Sequence, residues 1–116
     1  MKGFSYYVCP HCGNVLASSS PLSPSCCGNE IAALMLSEAF SSLSLPVRKD
    51  GDEIIVSLTH PMRKDEYVTF IAIESYDALV LKKLYAEWNE DVIFPYMKGR
   101  LVWATSTGKG YFQKLI

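Results

Sequence analysis

The residues best suited to chemistry are four cysteines, Cys9, Cys12, Cys26 and Cys27, all within the first quarter of a 116-residue chain. They read CPHC, thirteen intervening residues, then CC. In C-x-x-C the chain turns back on itself, so both sulfurs can face one ion. Gly13 and Asn14 follow Cys12 and suit the tight turn this requires. The second pair arrives on a second loop, and four thiolates can close a tetrahedron. Soft thiolates select zinc or iron over magnesium or calcium. Two disulfides from Cys9 and Cys12 to Cys26 and Cys27 are geometrically conceivable, but no secretory pattern accompanies them. A thioredoxin-like dithiol fits poorly, because no βαβ pattern surrounds CPHC. His11 could replace one cysteine, although four cysteines already complete the set and an exposed loop histidine is the simpler reading.

Other constellations are weaker. No Ser/His/Asp triad can be assembled from spacing, and the acidic residues form no evident acid–base pair. Gly108-Lys109-Gly110 lacks the longer signature of a phosphate loop and reads as a turn. Trp88, Trp103, Tyr85, Phe94, Tyr96, Tyr111 and Phe112 enrich the C-terminal half in aromatics, as expected for core and interface, with a ligand surface as the sharper option.

The elements that must position the cysteines are short. Phe4–Val8 is a β-favouring run into the first knuckle, and Asn14–Ala17 is a return strand. Ser18–Ser25 is a Ser/Pro loop, and Cys26-Cys27-Gly28-Asn29 is the second knuckle. Residues 1–36 form a first module too small to fold without a metal or disulfides. Between 30 and 47, Ile31, Leu34, Met35 and Glu38 fit a helical spacing, with a strand and linker as the alternative. The serines and Pro46 favour a linker over 37–47. From 48 to 116, Glu53–Leu58, Tyr67–Ile73, Ala78–Leu84, Val92–Phe94, Leu101–Ala104 and Tyr111–Ile116 read as strands, with KDGD as a turn. Short strands separated by turn residues predict a sandwich.

Composition bounds the function. With 49% hydrophobic and 20% charged residues, the chain is a folded globular one. Eleven basic residues against twelve acidic ones, a formal charge of −1, argue against nucleic acid or an anionic membrane as partner. No apolar run approaches the ~18 residues of a membrane span. The absent secretory pattern and the reduced thiols of a metal site point to the cytoplasm.

YYVCPHCGNVL followed by CCGNEI resembles the desulforedoxin-type iron domain. The later LPV and IVSLTHPMRKDEYVTFIAI resemble the superoxide reductase domain of desulfoferrodoxins, which carry both in this order. The resemblance implies an all-β fold, a small desulforedoxin- or rubredoxin-like metal domain followed by an immunoglobulin-like sandwich, assembled as a homodimer. It implies one iron per chain on Cys9, Cys12, Cys26 and Cys27, with zinc as the alternative.

The family's catalytic site is a second iron, held by four histidines and one cysteine beside a lysine. Only His60, in the HPM motif, matches that set. Ser44 stands at the first histidine, Leu43 at the lysine and Glu66 at the third histidine. The closing C-x-x-H-G aligns with Ala104 and Thr107, or with Ser106 and Lys109, so both ligands are missing. A lone His60 cannot hold iron in that geometry, and it reads as a histidine packed at a strand start. The expected protein is therefore a metal-binding one with a degenerate sandwich, structural or partner-binding in role. Electron transfer through the tetrathiolate centre, with a protein redox partner, is the alternative. Superoxide reduction would require the lost ligands.

Overall fold

A computed structural model describes residues 4–9, 12–20, 23–35, 45–58, 62–75, 78–106 and 111–115. The fold is all-β, with no helix among these residues. Its strands are β1 (Ser5–Val8), β2 (Val15–Ser18), β3 (Ser25–Cys26), β4 (Asn29–Glu30), β5 (Val47–Asp50), β6 (Glu53–Val56), β7 (Val68–Glu74), β8 (Leu79–Lys83), β9 (Val92–Pro95), β10 (Arg100–Thr105) and β11 (Tyr111–Leu115). Two small hairpins, β1-β2 and β3-β4, precede a sandwich of two sheets ordered β11-β10-β7-β8 and β5-β6-β9.

The sandwich core follows from strand alternation. Ile71 and Ile73 of β7 pair with Trp103 and Leu101 of β10, and all four face Ile54, Val56 and Phe94 of the second sheet. Phe70, Ala72, Val102 and Ala104 point the opposite way, yet they too are buried. The first hairpin covers them. Tyr6 of β1 is fully buried, its ring stacked on Phe70 at 5.2 Å between centroids. That second cover explains why β7 is buried along its whole length, as strands covered on both faces are.

A bulge sits where β7 begins. Val68 pairs with Thr105 and Phe70 with Ala104, so Thr69 is the extra residue. Its hydroxyl donates to the Ala104 carbonyl at 3.1 Å. The inserted residue shifts the alternation, and Val68 enters the inner core although Phe70, two residues on, faces the hairpin. On the opposite flank the sheet edges are guarded. Lys82 of β8 donates to the Ile93 carbonyl of β9 and lies 5.3 Å above the Phe94 ring, and Pro95 ends the β9 edge.

The strand readings of the sequence match well, apart from the two-residue strands β3 and β4, read as part of the second knuckle and its flanks, and β5. β5 has a single half-buried residue, Val47, ahead of exposed Arg48, Lys49 and Asp50, so it carries no apolar signal. Its partner β6 supplies the register, from Val47↔Val56 to Asp50↔Glu53 across the predicted turn. Residues 31–35 are irregular, which removes the helical option there. They are stitched to the strands by Leu34 N donating to Tyr6 O at 2.8 Å and Tyr111 N donating to Met35 O at 2.9 Å. Residues 36–44, His11, His60 and the Gly108-Lys109-Gly110 turn lie outside the described residues.

Candidate metal centre

Each cysteine pair is presented by a tight backbone turn. At the first knuckle, Cys9 O accepts from Gly13 N and Cys9 N donates to Asn14 O, both at 2.9 Å. Gly13 has φ +75°, in the left-handed region that a glycine enters without penalty. At the second, Cys26 pairs with Asn29, leaving Cys27 and Gly28 as a two-residue hairpin loop. Their φ values, 53° and 79°, are the consecutive positive pair that a type I′ turn needs. Glycine suits the second position. Cys27 occupies the first at a cost of about 1–2 kcal/mol, and that turn puts two neighbouring sulfurs on one side.

The four sulfurs lie within 4.8 Å of one another. Cys12 and Cys26 are 3.5 Å apart and Cys26 and Cys27 3.9 Å. A tetrahedron of thiolates around zinc, with bonds of about 2.3 Å, has edges of about 3.8 Å. A disulfide needs sulfurs at about 2.05 Å, so none of the four cysteines is joined to another by a disulfide. The donor set therefore fits a tetrathiolate metal. Its electrostatics agree. The neighbouring sulfurs, Cys9 first and then Cys12, push the Cys27 thiol up to about 12, and Cys12 and Cys9 raise Cys26 as well. Four adjacent thiolates repel, and a divalent cation is what lets them all ionise.

Below the sulfurs is a very small core of Tyr7, Cys9 and Ile31, with Leu16 and Cys26 at its margin. Cys9 is buried, Cys26 half-buried, and Cys12 and Cys27 exposed. The cluster has a sealed side and a solvent side.

Among the described residues, the remaining sequence candidates do not converge. Glu66 is half-buried and faces Arg63 at 3.9 Å across a single β-bridge. Ala104 is buried in β10, and the Ser106 hydroxyl accepts from Tyr67 N at 3.1 Å. Among the described residues, the four cysteines are the one convergent group of three or more potential ligands. His60, Ser44, Thr107 and Lys109 lie outside the described residues.

Sequence reading missed a buried polar network beside the hairpin. Glu74, at the end of β7, is fully buried. Its carboxylate accepts from the Tyr6 hydroxyl and pairs with Arg100 Nη2 at 2.6 Å. Burial first, and then the Glu74 carboxylate, raise the Tyr6 hydroxyl far above the usual tyrosine range. The signal was a carboxylate closing the otherwise apolar VTFIAIE, a residue that burial requires to be paired.

No protein-family model matches the chain, and no curated protein matches it. A solved structure does: the superoxide reductase from Treponema pallidum superposes with a TM-score of 0.75, over 98% of this chain and 99% of that one, at 16% identity. This chain has a superoxide reductase-like fold. At that identity the likeness is one of architecture, and function must be argued from the side chains. In this superoxide reductase-like fold, the described side chains that converge as metal donors are the cysteines of the N-terminal hairpins.

Proposed function

We propose that the chain is a metal-binding protein in which Cys9, Cys12, Cys26 and Cys27 hold one iron or zinc ion, and in which that ion is a structural staple for residues 1–36. One observation carries the reading: four sulfurs converge within 4.8 Å over a core of only three buried residues, one of them a cysteine. Tyr6 anchors one face of the first hairpin to the sandwich, but the two knuckles themselves have little apolar burial, and structural zinc contributes on the order of 10 kcal/mol to small domains. When bound, such a metal supplies cross-linking and, if it is iron, a one-electron couple. The thiolates fill a tetrahedron, so the centre offers no open position for a substrate.

The sandwich, taken as residues 48–116 after a 37–47 linker, serves in this reading as a platform for a second copy or a protein partner. No reaction is assigned to it, because four of the five family ligand positions carry other residues, and His60 with the Glu66 carboxylate alone would make a weak site. Tyr85 and Ile93, 59% and 43% exposed, are the apolar residues this role would use. The homodimer and a cytoplasmic location, where thiols stay reduced, belong to the same proposal.

Electron transfer is the second reading. It is favoured by the exposure of Cys12 and Cys27, which would bring the centre to the surface where a partner could reach it. Metal content per chain decides between them, measured with a visible spectrum on protein purified without oxygen from cells given both metals. One colourless zinc per chain supports the staple. One iron, with thiolate charge-transfer bands that bleach on reduction, supports electron transfer. Two metals per chain would overturn the assignment of a sandwich without a second site.

A further inference from the structure

A second concave site lies on the sandwich where β5 and the segment after β9 meet β11. It is a groove of about 340 Å³. Val47, Ile54 and Met97 form its apolar lining, and the ring of Tyr96, 44% exposed, forms a wall. Every charged residue lining it is basic: Arg48, Lys49, Lys98 and Lys114. These are four of the eleven lysines and arginines in a chain of net charge −1. Lys49 sits 4.2 Å above the Tyr96 ring, and Lys114 donates to the Leu45 carbonyl at 3.3 Å. Among the described residues, none of the four is in an ion pair.

We propose that this groove binds a small aromatic anion, a flat ring system bearing a phosphate or a carboxylate. The volume suits a molecule of about mononucleotide size and is too small for a folded partner. The apolar lining and the Tyr96 face accept a ring, and a cleft lined by charge of one sign concentrates counter-ions. Lys49, on the same face of β5 as Val47, can pair with either anion as a point charge, with Lys98 on the same lining. Neither half of such a ligand suffices. The ring alone leaves the cations uncompensated, and the anion alone leaves the apolar wall wet.

The test is calorimetric titration of the full-length protein in low salt with four probes: AMP, salicylate, adenosine and inorganic phosphate. AMP or salicylate should bind with a dissociation constant below about 1 mM, and adenosine and phosphate at least about tenfold more weakly, a difference of about 1.4 kcal/mol. Binding of AMP alone identifies a phosphate ligand, and of salicylate alone a carboxylate. Lys49→Gln with Lys98→Gln should weaken binding about tenfold or more, and Tyr96→Leu should do so without changing the charge. Amide shifts in a labelled sample should centre on Tyr96 and Met97, which locates the site independently of the variants. Three results would each overturn the proposal: no binding by AMP or salicylate at 10 mM, adenosine binding as tightly as AMP, or shifts centred elsewhere.

Discussion

Replacing Tyr6 by phenylalanine removes one oxygen and nothing else. The ring keeps its stack on Phe70 and its 5.8 Å approach to Tyr111. What disappears is one of the two partners that Glu74 has among the described residues. Glu74 is fully buried, so water cannot replace the lost donor. A hydrogen bond to a charged group is worth about 1.5–3 kcal/mol, and in a domain of this size that lowers Tm by roughly 6–12 °C. Removing the other partner, by Arg100→Met, leaves the carboxylate without its counter-charge and costs more, about 3–5 kcal/mol. The same hydroxyl sets a pH dependence. Its pKa is raised in the folded chain, whereas an unfolded tyrosine releases its proton at about pH 10. Above that pH the folded state holds a proton that the unfolded state has lost, so stability falls as pH rises. Urea melts of wild type and Tyr6→Phe between pH 7 and 11 measure both effects. The wild type should lose its advantage progressively above about pH 10, converging on the variant. A Tyr6→Phe midpoint equal to wild type at pH 7, or a constant gap up to pH 11, would refute the account of the network.

Gly99→Ala should destabilise by about 3 kcal/mol or prevent folding, because a Cβ there would lie 2.7 Å from the Glu74 carbonyl carbon and closer still to its oxygen; thermal melts check this. Cys27→Ser should abolish stable metal binding and leave the sandwich folded, seen as loss of amide protection at Tyr7 and Ile31 with protection retained at Ile71 and Leu101. Lys82→Ala uncovers the Ile93 carbonyl on the β9 edge and should increase concentration-dependent self-association, measured by sedimentation.

The fold was legible in the sequence wherever an apolar run had strand length. VTFIAI and LVWA became the two central strands of the larger sheet, and CPHCG and CCGN became the two knuckles. The cysteine spacing was sufficient because both turns are local, each closing within five residues. β5 was not legible, since a charged edge strand is specified by its neighbour β6 and not by its own pattern. The burial of both faces of β7 was equally hidden. A continuous apolar run predicts it, but the residue that covers the outer face, Tyr6, lies over 60 positions away. The same separation concealed the Tyr6–Glu74–Arg100 network. The basic groove was missed because the two halves of the count cancel, with 10 basic and 10 acidic residues over 48–116. Only the fold brings Arg48, Lys49, Lys98 and Lys114 to one place.

The central claim is that four sulfurs hold one metal. X-ray absorption at the metal edge of the purified protein measures it most directly. The account predicts a first shell of four sulfurs at about 2.3 Å with no lighter atom. A shell containing nitrogen or oxygen, or fewer than four sulfurs, would contradict it.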